Sequence, residues 1–239
     1  MDSIGQVLRK LRRKIRHYGL RSALYVGLLK ALGYHRWLNI LRAHYVEEVD
    51  PAFVHVAPGY AGGFLGPGAL ATFSRDPAAG ISAEAIRYAF SKGDKCYGFH
   101  YRGSLRAYGW YATTPTRVTS DLRVHFKRDY VYMYRGFTHA SHRGRRLFPI
   151  GVTRALRHYR AIGYKGMVLY VEANNLDSLR SCACMGLRLF GSIYIAKLFG
   201  RYFIYATRGC ARFGFRVEDV SGANADRYGR RAATTRPST

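Results

Sequence analysis

Acidic residues are scarce in this chain. Asp and Glu total 14 against 39 Lys and Arg, a formal charge of +25 with a pI near 10.4. From Tyr130 to Val171 there is no acid at all, while Arg135 to Lys165 holds eight bases. A chain so charged attracts polyanions: nucleic acid, anionic lipid, cofactor phosphates or an acidic protein. Cysteine is equally sparse. Cys96, Cys182, Cys184 and Cys210 form no CxxC pair, which argues against a disulfide framework and against a structural metal site. Long apolar runs are also missing. The longest, Ser22 to Gly33, is broken by Lys30 and is too short to cross a bilayer. No small-residue cleavage pattern follows it, so it is a poor secretory signal. A reduced, cytoplasmic chain fits these absences.

What is present is enough apolar material for a core. Of 239 residues, 48% are hydrophobic, which excludes wholesale disorder and suits one substantial domain with appendages. The charge is uneven. Residues 1–44 carry ten bases (Arg9, Lys10, Arg12, Arg13, Lys14, Arg16, Arg21, Lys30, Arg36, Arg42) and one acid, Asp2. Ile4, Val7, Leu8, Leu11 and Ile15 recur at helical spacing, and helical style continues from Ala23 to Leu41. Residues 1–48 are therefore expected to be a basic amphipathic helical extension. Either it packs on the domain by its apolar stripe, or it rests on an anionic membrane surface at the inner face.

Residues 49–217 are expected to form the main domain. Its opening, Val49 to Gly80, is rich in Gly, Pro and Ala and reads as an irregular connector; the Gly62–Gly68 run lacks the Lys-Ser/Thr of a phosphate loop. Ser82 caps a short helix to Lys92. Lys95–Tyr101 and Ser104–Ala112 flank Arg102-Gly103 as a hairpin. Leu122–Phe126 and Asp129–Thr138 read as strands. Phe148 to Ile162 is a helix that stops at Gly163, and Val168–Ala173 is a strand. Leu176–Met185 is a helix capped by Asn175 and closed by Gly186. Leu189–Ala196 and Arg201–Thr207 form a last strand pair. Residues 218–239 read as a flexible tail. The fold class is α+β: a mostly antiparallel sheet of about six to seven strands, flanked by helices, with one parallel pair joined by a right-handed crossover.

Two motifs in that order carry a resemblance. Arg143-Gly144-Arg145-Arg146-Leu147-Phe148 is a basic turn between a strand and a helix, and such a turn aims backbone N–H groups at phosphate. Asn175, Ser178, Leu179, Gly186 and Leu187 follow the next strand. Residues 95–207 resemble the GNAT superfamily of acyl-CoA-dependent N-acyltransferases. In that family the cofactor turn is usually Arg/Gln-x-x-Gly-x-Gly/Ala. Arg143 matches its first position, while Arg146 and Phe148 stand where Gly or Ala is usual.

The resemblance implies a fold with a splayed parallel strand pair and an acyl-CoA donor, acetyl or longer, or an acyl carrier protein thioester. No metal is implied. It places the donor against Thr138, Arg143, Gly144, Arg145, Arg146, Leu147, Phe148, Asn175 and Ser178. An amine attacks the thioester directly, which requires a base, a strand N–H to polarise the carbonyl, and an acid for the leaving thiolate. Glu172 and His139 are the candidate bases. Cys182 stands where many members carry a Tyr acid. The acceptor remains open among amino acids, aminolipids, aminosugars and protein lysines, with a lipid or envelope amine preferred. Two other readings stay open: a nucleic-acid- or membrane-binding protein, and an inactive GNAT-like binding module. Nucleic acid is the weaker partner, because no helix-turn-helix, zinc spacing or RNP pattern is legible.

Overall fold

A computed structural model describes residues 15–16, 18–34, 38–76 and 79–222. Most of the helix expected from the apolar spacing of Ile4 to Ile15, and most of the tail, lie outside these described residues. Strands dominate. The main sheet has eight, in the order β10-β9-β1-β8-β7-β4-β3-β2. These are β1 (Asn39–Val46), β2 (Tyr60–Leu65), β3 (Lys95–Tyr101), β4 (Ser104–Ala112), β7 (Tyr130–Thr138), β8 (Gly166–Glu172), β9 (Arg188–Leu198) and β10 (Arg201–Ala206). A second sheet of three, β11-β6-β5, pairs Arg216–Asp219, Leu122–His125 and Thr116–Arg117. The helices are α1 (Leu20–Tyr34), α2 (Pro67–Phe73), α3 (Ala83–Ser91), α4 (Leu147–Ala161), α5 (Leu176–Cys184) and α6 (Arg208–Arg212).

The pleat sorts the side chains onto two faces. Val131 and Met133 of β7 and Met167, Leu169 and Val171 of β8 join Leu147, Ile150, Leu156 and Tyr159 of α4 in one core. Tyr130, Tyr132 and Val168 point the other way, against Phe213, Phe215 and Val217. Farther along that face, α2 and α3 cover Cys96, Tyr108 and Trp110. Arg102 and Gly103, with φ of 49° and 77°, make the left-handed two-residue turn that suits the twist of the β3–β4 hairpin.

Four expectations are corrected. The helical extension expected over residues 1–48 does not reach residue 48: among the described residues α1 ends at Tyr34, and residues 39–46 are strand β1. That strand lies antiparallel between β8 and β9, pairing Leu41 with Glu172 on one side and with Ile193 on the other. Leu41 and Ala43 are buried, which is why a segment that reads as helix by composition is drawn into the sheet: pairing on both edges outweighs a weak helical preference. Residues 49–80 are not an irregular connector but carry a short 3-10 turn, β2 and α2. Nor does the tail begin at 218, since Glu218 and Asp219 pair with Arg123 and Leu122. The main sheet has eight strands where six to seven were expected.

Because β1 is internal, a chain beginning at residue 47 is expected to lose its cooperative thermal transition, as seen by circular dichroism. Retention of that transition would show that β8 and β9 can close without it.

Candidate functional site

The site begins where β7 and β8 part. Their parallel pairing covers Tyr130–Gly166, Val131–Met167 and Tyr132–Val168 and then ends, although β7 runs on to Thr138 and β8 to Glu172. The cause lies on the other edge of β7. Its pairing with β4 shifts between Tyr108 and Trp110, and Arg135 sits there with φ of +49°. A bulge of this kind bends the strand. Beyond it, β7 follows β4 and leaves β8, so the strand groups of Tyr134–Thr138 and Leu169–Glu172 face a cleft instead of each other.

Aromatic rings stack across the strands beside the divergence. Tyr134 stacks with Tyr132 at 5.8 Å, and Tyr132 with Tyr170 of β8 at 6.3 Å. Trp110 of β4 lies 6.5 Å beyond Tyr134. Tyr134 donates its hydroxyl to Asp94 Oδ2 at 2.5 Å, and Lys92 Nζ reaches the same oxygen at 3.0 Å. Burial pushes the Asp94 carboxyl up, against the opposing pull of Tyr134 and Lys92. On the opposite face the Phe148 ring packs on the backbone of Gly136, where an added Cβ would fall 2.6 Å from the ring. Phe148 therefore takes the space that a side chain at residue 136 would need.

The basic turn follows directly. His139 to His142 form a 3-10 turn, and Gly144 (φ +77°) and Arg146 (φ +57°, ψ 19°) turn the chain into α4. Arg146 is the N-cap but gives no side-chain cap. Among the described residues, no backbone acceptor engages the N–H groups of Gly144, Arg145, Arg146, Leu147 or Phe148. Pro149, the third residue of α4, has no N–H to offer. This is an open set of donors at the positive end of a 15-residue helix, ringed by exposed Arg143, Arg145 and Arg146. The chemistry of that donor set fits a pyrophosphate.

The candidate catalytic residues stand in separate surroundings. His139 Nδ1 contacts Ser141 Oγ at 2.7 Å and caps the 3-10 turn. Its neighbour His142 bonds Tyr60 at 2.5 Å, and desolvation, then the charges of Arg106 and Arg145, holds its pKa below the usual value. Glu172 is exposed and lines a cleft of about 410 Å³ with Tyr18, Lys30, Asn174, Asn175 and Asp177. Cys182 is buried in the core with Met185 and Leu187, and burial pushes its thiol up to about 12. That position suits core filling better than acid catalysis. Asn175 accepts from Ser178 N at 3.2 Å and so caps α5; Ser178 supplies the capped N–H. Thr138 ends β7, and its carbonyl accepts from Arg143 Nε at 3.3 Å.

Sequence reasoning missed Asp94, Lys92 and Tyr60. Nothing local marks them, because their partners are 40, 24 and 82 residues away. Arg135-Gly136 inside a strand was a legible sign of the bulge.

No protein-family model matches this chain, and no curated protein matches it. Among solved structures it is similar to GNAT-family acetyltransferases. One, from Colwellia psychrerythraea, is 16% identical with a TM-score of 0.48, over 74% of this chain and 60% of that one. A GCN5-related N-acetyltransferase from Sphaerobacter thermophilus is 13% identical with a TM-score of 0.48, over 75% and 55%. The structure of yncA from Salmonella typhimurium with its cofactor acetyl-CoA is 14% identical with a TM-score of 0.41, over 68% and 95%. The likeness thus spans little more than half the length of the first two.

Arg146 in a left-handed conformation carries a strain of about 1–2 kcal/mol that glycine would not. Arg146→Gly is expected to raise the unfolding free energy by up to about 1 kcal/mol after glycine's extra unfolded-state entropy is offset, read as a higher denaturant midpoint. A lower midpoint would mean that the Arg146 side chain makes stabilising contacts. Cys182→Ala should cost about 1 kcal/mol of stability and leave the pH dependence of any transfer unchanged; a displaced alkaline limb would restore it as an acid.

Proposed function

We propose that this chain is a GNAT-type N-acyltransferase that moves an acyl group from a coenzyme A thioester to a primary amine. The observation that carries this reading is the pairing of two features on one strand: the β7–β8 divergence after Tyr132–Val168, and the unengaged N–H groups of Gly144–Phe148 at the end of that strand. A long donor with a charged, phosphate-bearing end and an extended amide arm suits both together. When bound, the thioester supplies an activated acyl carbon for direct attack by the amine.

The chain's own residues would share the work as follows. Gly144 to Phe148 would bind the pyrophosphate through backbone N–H groups, with Arg143, Arg145 and Arg146 adding charge. Strand groups exposed beyond the Arg135 bulge would hold the amide arm like a short extra strand. A β7 N–H in that segment would polarise the carbonyl. Tyr134 and Tyr170 would wall the acceptor side. Glu172 and His139 remain the proposed bases; His139 would have to give up its bond to Ser141, which favours Glu172. The scarcity of acids suits an acidic acyl carrier protein as an alternative donor. Aromatic walls suit a lipid or envelope amine as acceptor. The site of action would be the cytoplasm, with peripheral contact to the inner membrane face through the basic residues of 1–44.

Acetyl-CoA, a long-chain acyl-CoA and acyl carrier protein are each to be tested for a rise in melting temperature. At a hundredfold excess over Kd a true donor adds about 2.7 kcal/mol. No shift with any of the three would sink the proposal. Arg143→Ala should weaken donor affinity about tenfold, the loss of one charge-assisted contact. Asn175→Asp keeps the helix cap but removes the amide; unchanged donor affinity in that variant would reduce Asn175 to a structural cap. Salt-sensitive binding to random DNA without thioester binding would favour a nucleic-acid protein instead.

A further inference from the structure

Helix α1 is apolar on two sides. Ala23, Val26 and Leu29 are buried, yet Leu20, Leu24 and Leu28 stand 57%, 65% and 59% exposed at a spacing of four. That spacing puts them in one outward ridge. The helix lies on the α5 side of the sheet: Tyr18, just before it, donates to Asp177 of α5 at 2.6 Å, and Lys30 shares the cleft with the α5 N-terminus.

The outer strands expose a second apolar surface on that same side. Ser192 bonds Arg42 across β1 and β9 at 2.9 Å, while Ile193 and Ile195 enter the opposite core. Alternation then places Tyr194, Ala196 and Leu198 on the Ser192 side. Their β10 partners are Tyr205, Phe203 and Arg201. Phe203 is 58% exposed and Tyr205 is 64% exposed. At the hairpin tip Phe199 is fully exposed and held at φ +49°. A large ring in a left-handed conformation is costly, and no burial offsets it here.

The charge around this surface is mostly of one sign, the exceptions being Asp177 and Glu172 at the cleft that Tyr18 and Lys30 share. Residues 3–46 contain no Asp or Glu, and neither do residues 178–217, where seven Arg and Lys occur. Arg21 and Lys30 of α1 and Arg201 beside the tip are exposed. Exposed Leu ridges and aromatic tips ringed by bases match the boundary of an anionic bilayer, where apolar groups enter the acyl region and bases meet the headgroups.

We propose that the ridge of α1 and the exposed side of the β9–β10 hairpin together form a docking surface for an anionic lipid bilayer, with Phe199 as an inserting tip. This extends the membrane reading of residues 1–44 to the far end of the chain, and it does not depend on the thioester reading. Orientation follows from it: two elements far apart in sequence would fix which side of the sheet faces the lipid.

The full chain is to be sedimented with vesicles of phosphatidylcholine alone and of phosphatidylcholine with phosphatidylglycerol. Binding is expected only to the second, and to weaken as salt rises. The double variant Phe199→Ser/Phe203→Ser should bind these vesicles about tenfold more weakly or worse. Both side chains are exposed, so its melting temperature and its response to acetyl-CoA should match the parent chain. Residues 9–16 are intact in this variant, which separates the hairpin from the basic segment. Wild-type failure to bind anionic vesicles, or equal binding by the variant, would overturn the proposal. So would a dimer in gel filtration that the same variant dissolves, because the face would then belong to a second copy.

Discussion

Parallel pairing between β7 and β8 stops after three residue pairs, and the rest of the site depends on where it stops. An uninterrupted ladder would satisfy the strand groups of both strands and close the sheet. The bulge at Arg135 prevents this by turning β7 toward β4. Its cost is a non-glycine residue in the left-handed region. Tyr134 of β7, Tyr170 of β8 and Phe148 of α4 stand on the elements that border the divergence and pack against the two cores. The aromatic rings matter here for a mechanical reason as well. Stacked from Trp110 through Tyr134 and Tyr132 to Tyr170, they hold the diverging strands at a fixed separation by side-chain packing where hydrogen bonds no longer can.

The same strand delivers the basic turn. Leaving Gly144–Phe148 without backbone acceptors at the head of α4 concentrates the helix dipole on exposed donors, and three arginines reinforce it. A side-chain cap at residue 146 would have consumed one of those donors. Arg146 supplies none, so local helix stability is given up where anion binding would recover it. The buried Asp94 is handled in the opposite way. Tyr134 and Lys92 both contact it, and a fully partnered buried carboxylate anchors the tyrosine wall instead of remaining free for chemistry.

Much of the domain was legible as local pattern. The β3–β4 hairpin, the α4 and α5 helices, the Asn175 cap and the Arg143–Phe148 turn each rest on residues a few positions apart, and the structure places all of them within one or two residues of expectation. Three things were not legible. Strand β1 reads as helix until its two neighbours, more than 120 residues away, are known to flank it. Cys182 occupies a motif position, yet its burial in the core is a matter of how α5 packs. The exposed sides of α1 and β10 could not be inferred from hydrophobicity, because apolar residues normally signal burial.

By itself, the sequence determined the electrostatic character of the chain, the strand–turn–helix order of its candidate donor site, and the cap that opens α5. These follow from composition and from spacings shorter than one helical turn or one strand. The tertiary structure alone decided that an N-terminal strand completes the sheet, that the parallel pair separates at Tyr132, and that Tyr134 meets Asp94. It also set apart Glu172, His139 and Cys182. Such pairings form between residues tens to more than a hundred positions apart, where local propensity is silent and only the competition for burial and hydrogen-bond partners chooses.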